Sequence, residues 1–430
     1  MELVNDGSKR SERMSVFLKS GIYQFENCST IFIDPVAVLN RSYTGHKVSP
    51  SAYYSRFFEH NHDVEEEDSK VSTISRKRKR KKKSPCGLNE REQRADERHK
   101  EARPHLLKAH EALLEANELV KVIPSMKNGC CLARCIDLPF PNVELSFVEL
   151  GNVWQAPLYE MSLNFNQPTH SSTNEGLSKA EFCEQKVVPV FNSLVQNETS
   201  MDLEAEFLGS KYILPRKSCF YMSDLGKIHE LAPDDHQCRF NLIVIDPPWE
   251  NSSARQKMKY PTLPNRYLLS LPIKQLAHKK GAIVALWVTN REKLRDFVEK
   301  ELFPSWGVVY ITTLYWLKVK PDCSLIGDLD LFHHRPYECL LIGYCHGEAV
   351  DSELILSGLK NTMPHNQVMI SVPGDYSRKP PVGEFLKNYL PDYENGIELF
   401  AREMIGGWTS WGNETLHFQE SRYFQKVPTI

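Results

Sequence analysis

The sequence predicts an α/β fold in its second half, a mostly parallel sheet with helices on both faces, and three observations predict it. Short runs rich in β-branched residues recur from about Lys211 onward, helix-like stretches lie between several of them, and the runs are nearly continuously apolar. A strand that alternates has one wet face. A strand that is apolar at every position is covered on both, as parallel strands joined by crossover helices are. The runs are Leu242–Ile245, Ala282–Val288, Tyr310–Leu317, Cys339–Gly343, Val368–Val372 and Ile397–Ala401. Helices are expected at Arg291–Leu302, with Asn290 as N-cap, and at Val382–Leu390 behind the pair Pro380 and Pro381. Residues 206–430 thus read as one domain.

The first half divides by composition. Residues 1–63 mix apolar runs such as Ser29–Leu39 with the aromatic-rich piece Ser51–Phe58, and are expected to form a folded element. Residues 64–88 hold an acidic cluster, Glu65–Asp68, and the uninterrupted basic run Arg76–Lys83. So many like charges cannot pack, so this segment is expected to be an exposed, flexible linker. The run reads as a plain solvated loop, a nuclear import signal or a phosphate-binding arm, and its compactness within a linker favours import. A nuclear location follows, with the cytoplasm as the second. In residues 89–205, Leu106, Ala109, Leu113, Ala116 and Val120 share one helical face, with Lys108, Glu111 and Glu115 opposite and Pro104 marking a break between two helices. This α-containing extension continues into an irregular polar segment, Asn164–Leu177. Cys130, Cys131 and Cys135 lack the paired spacing of a metal site and read as buried thiols, so no metal is expected.

Composition bounds the function. A chain of 430 residues with 41% hydrophobic content can bury a large core. Its formal charge of −2 rules out coating nucleic acid by bulk charge and leaves only local patches for such contact. Eleven cysteines without even spacing, and no apolar run behind a basic start, point to a reducing compartment. No apolar stretch approaches the ~20 residues of a membrane span, so no membrane partner is expected.

The chemistry concentrates at Asp246-Pro247-Pro248-Trp249, directly after the apolar run Leu242–Ile245. In open α/β sheets ligands sit beyond the carboxyl ends of the strands, where this turn falls. Each proline ring fixes φ and removes an N–H, so the turn is rigid and its carbonyls are left as acceptors. Asp246 and the Pro247 carbonyl together offer acceptors for both protons of a planar amine. They would draw it toward tetrahedral geometry and stabilise the charge that grows as it attacks. Trp249 adds a flat face for stacking a base, worth roughly 1–3 kcal/mol in nucleic-acid sites. Arg255, Lys257, Lys259 and Tyr260, in the following loop, read as contacts to phosphate that shield the pocket. Taken alone, the tetrapeptide is also a common turn with a core tryptophan.

Asp246-Pro-Pro-Trp249, Leu286-Trp-Val-Thr-Asn290, Ser377-Arg-Lys-Pro380, Glu398-Leu-Phe-Ala-Arg402 and Gly407-Trp-Thr-Ser-Trp-Gly-Asn-Glu414, in that order, resemble the family of adenine N6-methyltransferases named for the seventy-kilodalton MT-A subunit. The resemblance runs from about residue 211 to 418. The aromatic Gly407–Glu414 end, with Asn40–Thr44 and Ser49–Phe58, is similar to the branch called methyltransferase-like protein four. It implies a Rossmann-like, S-adenosylmethionine-dependent fold in permuted motif order, consistent with the absence of G-x-G-x-x-G after any strand. It further implies that Lys379, Arg402 and Asn413 hold the cofactor, with Glu414 beside them where relatives often carry Gln, and with Asp246 shared between cofactor and substrate. Glu338 matches a carboxylate near the substrate, and Asn290 is counted with the substrate contacts. Glu403, Met404 and Ile405 stand where relatives place His-Asn. The implied substrates are RNA, including a small nuclear RNA of the U2 type whose adenosine carries a 2′-O-methyl, and DNA. The extension is expected to do in cis what a partner subunit would, so the chain is expected to act as a monomer. The rival readings are a non-catalytic nucleic-acid scaffold of the same fold and a methyltransferase for another amine.

Overall fold

The computed structural model describes residues 2–26, 29–55, 89–128, 146–152, 154–166, 183–232, 239–250, 262–331, 334–349, 352–375, 378–390 and 392–427. At its centre is an 11-stranded sheet. Along the chain its strands are β1 (Ile22–Gln24), β2 (Thr30–Ile33), β3 (Leu194–Asn197), β4 (Ser218–Met222), β5 (Leu242–Ile245), β6 (Ala282–Val288), β7 (Val308–Lys318), β8 (Tyr337–Cys345), β9 (Val368–Ser371), β10 (Gly396–Leu399) and β11 (Trp408–Gly412). Across the sheet they follow the order β1-β2-β9-β7-β8-β6-β5-β10-β11-β4-β3. Parallel ladders join β6-β5-β10-β11-β4 and β2-β9-β7, and β8 runs antiparallel between β6 and β7. Antiparallel pairs close both edges. The fold is α/β and Rossmann-like, with each expected apolar run seated in the sheet.

The central strands are nearly continuously apolar because they feed two cores. From β5 and β6, Ile243, Ile245, Val284 and Leu286 face one core, while Leu242, Val244, Ile283, Ala285 and Trp287 face the other. Full burial of each branched side chain contributes about 1.5–3 kcal/mol. A one-residue slip would exchange the two sets, so the register is tightly specified.

The first half is woven into this sheet. β2 pairs in parallel with β9, and β3 pairs with β4. A second, four-stranded sheet is built from Cys183–Pro189, Glu160–Asn166, Leu203–Phe207 and Ser210–Leu214. The border expected at 205/206 therefore falls inside the strand Leu203–Phe207, whose hairpin partner follows at once. Residues 164–166, the start of the segment read as irregular, belong instead to the strand Glu160–Asn166, in which Met161 and Leu163 are buried.

Three local expectations are corrected. The helix Glu90–Glu115 runs through Pro104 without a break. The missing N–H frees only the carbonyl of Lys100, an exposed residue, so water can satisfy it. The helix starts with a capping box, in which Asn89 Oδ1 accepts from Glu92 N–H and Glu92 Oε2 from Asn89 N–H. It buries Ala102, Leu106, Ala109 and Leu113 against Leu317, Val368 and Ile370. At Ala116 the backbone leaves the helical region, which resets the phase and buries Leu119 in place of Val120. The helix Glu292–Phe297 is preceded by Arg291 at the cap position, because the Asn290 amide is drawn away to the Tyr337 carbonyl.

Tyr53 and Tyr54 are core residues, fully buried in the cluster that receives the long helix. Phe57, Phe58, the basic run 76–83 and Cys130, Cys131 and Cys135 lie outside the described residues. Among the described residues no helix is long and apolar enough to cross a membrane, and no group of three or more His, Cys, Asp or Glu is arranged to hold a metal ion.

Candidate active site

Strand direction assembles the site. β5, β6, β10 and β11 are parallel and end at one edge of the sheet, followed there by Asp246, Thr289, Phe400 and Asn413. β8 runs the other way, so its start brings Glu338 to the same edge, opposite Trp316 near the end of β7. Asp246 N–H donates to the Leu399 carbonyl at 3.2 Å, so the ladder holds this acid to the last residue before the turn.

The turn is tighter than its sequence suggests. The Pro247 carbonyl accepts the Trp249 N–H at 2.8 Å and the Pro248 carbonyl accepts the Leu263 N–H at 3.0 Å. Neither is therefore an unpaired acceptor, as the sequence reading expects, because the turn's own Trp249 and the chain returning at Leu263 supply donors. Each keeps a second lone pair. The Trp249 indole N–H donates to the Trp287 carbonyl at 2.8 Å, which fixes the ring and leaves the residue 7% exposed.

A row of alternating charge crosses the floor. Lys318 bonds one oxygen of Glu338, and Lys379 Nζ lies 3.4 Å from the other and 3.3 Å from Asp246 Oδ1. Burial pushes the Glu338 carboxyl up, but Lys318 and Lys379 outweigh it and hold it at about 2. Burial also pushes Lys379 down, while Asp246 and Glu338 more than offset it, so its pKa is raised and it stays an ammonium. Glu398 stands opposite Val244 in the next strand, where Arg402 and Lys379 only partly offset what raises its pKa. Burial first, then Glu403 and Asp246, lift it to about 8, so it is a neutral carboxyl at pH 7.

Lys379 is positioned by its neighbour. Arg378 is buried and forked onto Glu403, with its guanidinium 4.2 Å from the rings of both Tyr53 and Phe418. Glu403, one of the residues standing where relatives place His-Asn, is thereby committed to structure. Met404 is buried and donates its N–H to Gln419.

These groups enclose a cavity of about 250 Å³, lined by Asp246, Pro247, Pro248, Trp249, Glu250, Trp287, Val288, Thr289, Arg291, Leu294, Glu338, Lys379, Phe400, Arg402, Asn413 and Glu414. One space thus gathers the proposed catalytic turn, the implied cofactor residues and Glu338. Asn290 lines the adjoining cavity instead, with its amide on Tyr337. Arg255, Lys257, Lys259 and Tyr260 lie outside the described residues. Sequence reasoning did not single out Trp287, Thr289, Arg291 or Phe400, although three of them sit within the quoted motifs; position directly beyond a strand end was the available signal for Thr289 and Phe400. The lining is chemically compatible with S-adenosylmethionine, which if bound would find carboxylates for its ammonium, Lys379 for its carboxylate, Arg402, Asn413 and Glu414 for its hydroxyls, and the Phe400 ring as an apolar face.

A family model described as MT-A70 matches residues 240–414. Over that stretch the chain is similar to the MT-A70 family. The MT-A70 match contains every residue that lines the cavity. Over 245 residues the chain is 36% identical to the human protein named N(6)-adenine-specific methyltransferase METTL4, covering 55% of this chain and 50% of that one. It is 36% identical over 193 residues to the N6-methyladenosine RNA methyltransferase MTA1 of Pyricularia oryzae, covering 42% and 48%. A Caenorhabditis elegans protein named DNA N6-methyl methyltransferase is 28% identical over 276 residues, covering 62% and 72%. The chain spans about half the length of the METTL4 relatives it matches.

Proposed function

We propose that this chain is an S-adenosylmethionine-dependent N6-adenine methyltransferase acting on nucleic acid. The observation that carries the reading is the shared cavity: the acid-proline-proline-tryptophan turn opens into the space lined by Lys379, Arg402, Asn413 and Glu414. The names of the relatives support adenine N6 as the target and leave RNA and DNA both represented.

S-adenosylmethionine, when bound, supplies an electron-poor methyl group. The chain's own part is to present the amine. Asp246 accepts one N–H of the adenine amine, and the second lone pair of the Pro247 carbonyl accepts the other. As positive charge grows on nitrogen, these fixed acceptors stabilise it with no reorganisation. Lys379, held between Asp246 and Glu338, keeps the Asp246 carboxylate aimed. The proton then passes to Asp246 or water. Positioning supplies most of the rate. The base must be unpaired or flipped out to reach such a pocket, which favours single strands.

Within this reading the preferred substrate is adenosine in RNA whose ribose carries a 2′-O-methyl, as in a small nuclear RNA of the U2 type, with DNA adenine second. The chain acts as a monomer in the nucleus, addressed by residues 76–83. Isotope-labelled methyl transfer to matched RNA, 2′-O-methyl RNA and DNA ranks the substrates. Label confined to a non-adenine position in all of them would overturn the assignment. A reporter carrying residues 64–88 that stays cytoplasmic would remove the nuclear address.

A further inference from the structure

A second cavity, of about 220 Å³, adjoins the first. The two share Val288, Thr289 and Arg291 as a common wall. The far wall of the second is the helix Glu90–Glu115, which contributes Ala95 and Arg98. That helix is fastened to the rim: Arg98 forks onto Glu299 at 3.0 and 2.8 Å and reaches Glu292 at 3.2 Å, and Arg94 meets Asp296 at 3.2 Å.

We propose that this second cavity receives the base of a nucleotide next to the target adenosine, so that sequence context is read there. The inference rests on the first cavity being the methyl-transfer site, and it assigns a substrate contact to the N-terminal extension.

Three observations carry it. The first is charge. The arginines in the wall are already engaged, Arg98 and Arg295 by Glu299, Arg335 by the carbonyls of Leu331 and Ala95, and Arg291 by the Glu250 carbonyl. With Glu101, Glu292 and Glu299 also in the lining, the formal charge nearly cancels, which suits a neutral base better than a phosphate.

The second observation is a fixed aromatic face. Tyr310 is 43% exposed, its hydroxyl is 2.8 Å from Thr313 Oγ1, and the Arg295 guanidinium stands 5.8 Å from its ring centroid. A ring held from two sides stacks a base at little entropic cost.

The third is an unmet polar atom. Thr289 Oγ1 is buried without a hydrogen-bond partner among the described residues, and Thr289 lines both cavities. Buried hydroxyls are nearly always paired, so an orphan in the wall between two cavities points to a ligand that completes it.

The test uses the full chain and short single-stranded RNAs in which each neighbour of the target adenosine is, in turn, each of the four bases or an abasic residue. Binding is read by fluorescence anisotropy. The wild type is expected to lose about tenfold in affinity for an abasic residue on one side only, the size of a lost stacking contact. Ala95→Phe, which fills the cavity from the helix, and Tyr310→Ala, which removes the platform, are each expected to bring the intact RNA to the abasic level while leaving the abasic RNA unchanged. Indifference of the wild type to abasic residues on both sides would overturn the proposal, as would variants that weaken intact and abasic RNAs equally. If Ala95→Phe loses its circular dichroism spectrum, the exposed Tyr310→Ala decides alone. Methyl transfer on the same RNAs reports on the first cavity separately. Flank-dependent binding without transfer supports the base site and counts against the methyl-transfer reading, and transfer without flank dependence does the reverse.

Discussion

In the cavity at the end of β5, charges alternate along a largely buried row, its side chains 11–19% exposed, from Lys318 through Glu338 and Lys379 to Asp246. In the cavity beneath the helix Glu90–Glu115, arginines and glutamates are paired at a rim where Arg98 is 39% and Arg94 38% exposed. The same residue types are thus used in opposite ways on the two sides of Thr289. Burying a charge costs several kcal/mol unless a partner stands beside it, so each member of the buried row depends on the next. The Arg94–Asp296 pair remains near water and contributes about 0–1 kcal/mol, whereas Glu292, which Arg98 meets, is itself buried. The first cavity therefore holds charge ready for a charged ligand, and the second is closed in part by a pair that could be lost singly.

Lys379→Met is expected to have the largest effect on folding. It leaves Asp246 and Glu338 without their shared cation, at a cost of about 3–5 kcal/mol. Chemical denaturation should then show Lys379→Met/Glu338→Gln recovering part of the loss; equal instability of single and double variants would break the idea of a coupled row.

The next effect is in pH dependence, where the two buried glutamates have opposite signs. Glu338 is held at about 2 against an ordinary 4.5, so its contribution is complete above 4.5 and is lost as pH falls toward 2. Glu398 is lifted to about 8, so the folded state binds the extra proton and stability falls as pH rises from 4.5 to 8. Glu398→Gln should flatten that alkaline fall in denaturation curves taken across the range. An unchanged slope would mean that the carboxyl is ionised at neutral pH.

The smallest effect belongs to the rim. Arg94→Ala removes one exposed pair from Asp296, which keeps Lys300 at 2.8 Å, and should cost less than about 1 kcal/mol. A loss comparable to that of Lys379→Met would erase the distinction between the cavities.

The sheet was legible because its strands are buried on both faces, a property that each short run displays by itself. The turn at Asp246 was legible for a related reason, since residues poor at packing follow directly on a core strand. What stayed hidden depends on partners far along the chain. Asn290 looks like a helix cap until β8 brings the Tyr337 carbonyl to its amide. The second sheet was missed because its strands carry many polar residues, although Met161, Leu163 and Ala205 point inward at strand spacing. Arg378 owes its place to Tyr53, Glu403 and Phe418, from separate parts of the chain, and the raised pKa of Glu398 comes from its burial first and then from Glu403 and Asp246 folded beside it.

The most direct test of the central claim is single-turnover methyl transfer to adenine-containing single-stranded RNA by the full chain and by Asp246→Asn, with products identified as nucleosides by mass spectrometry. Asp246→Asn keeps the shape of the turn but gives up the charge that stabilises the attacking amine. The account predicts N6-methyladenine from the wild type and a loss of about 10²–10³-fold or more in the variant, with the fold intact by circular dichroism. Equal rates from both proteins, or no methylated adenine from a wild type that binds S-adenosylmethionine and RNA, would contradict it.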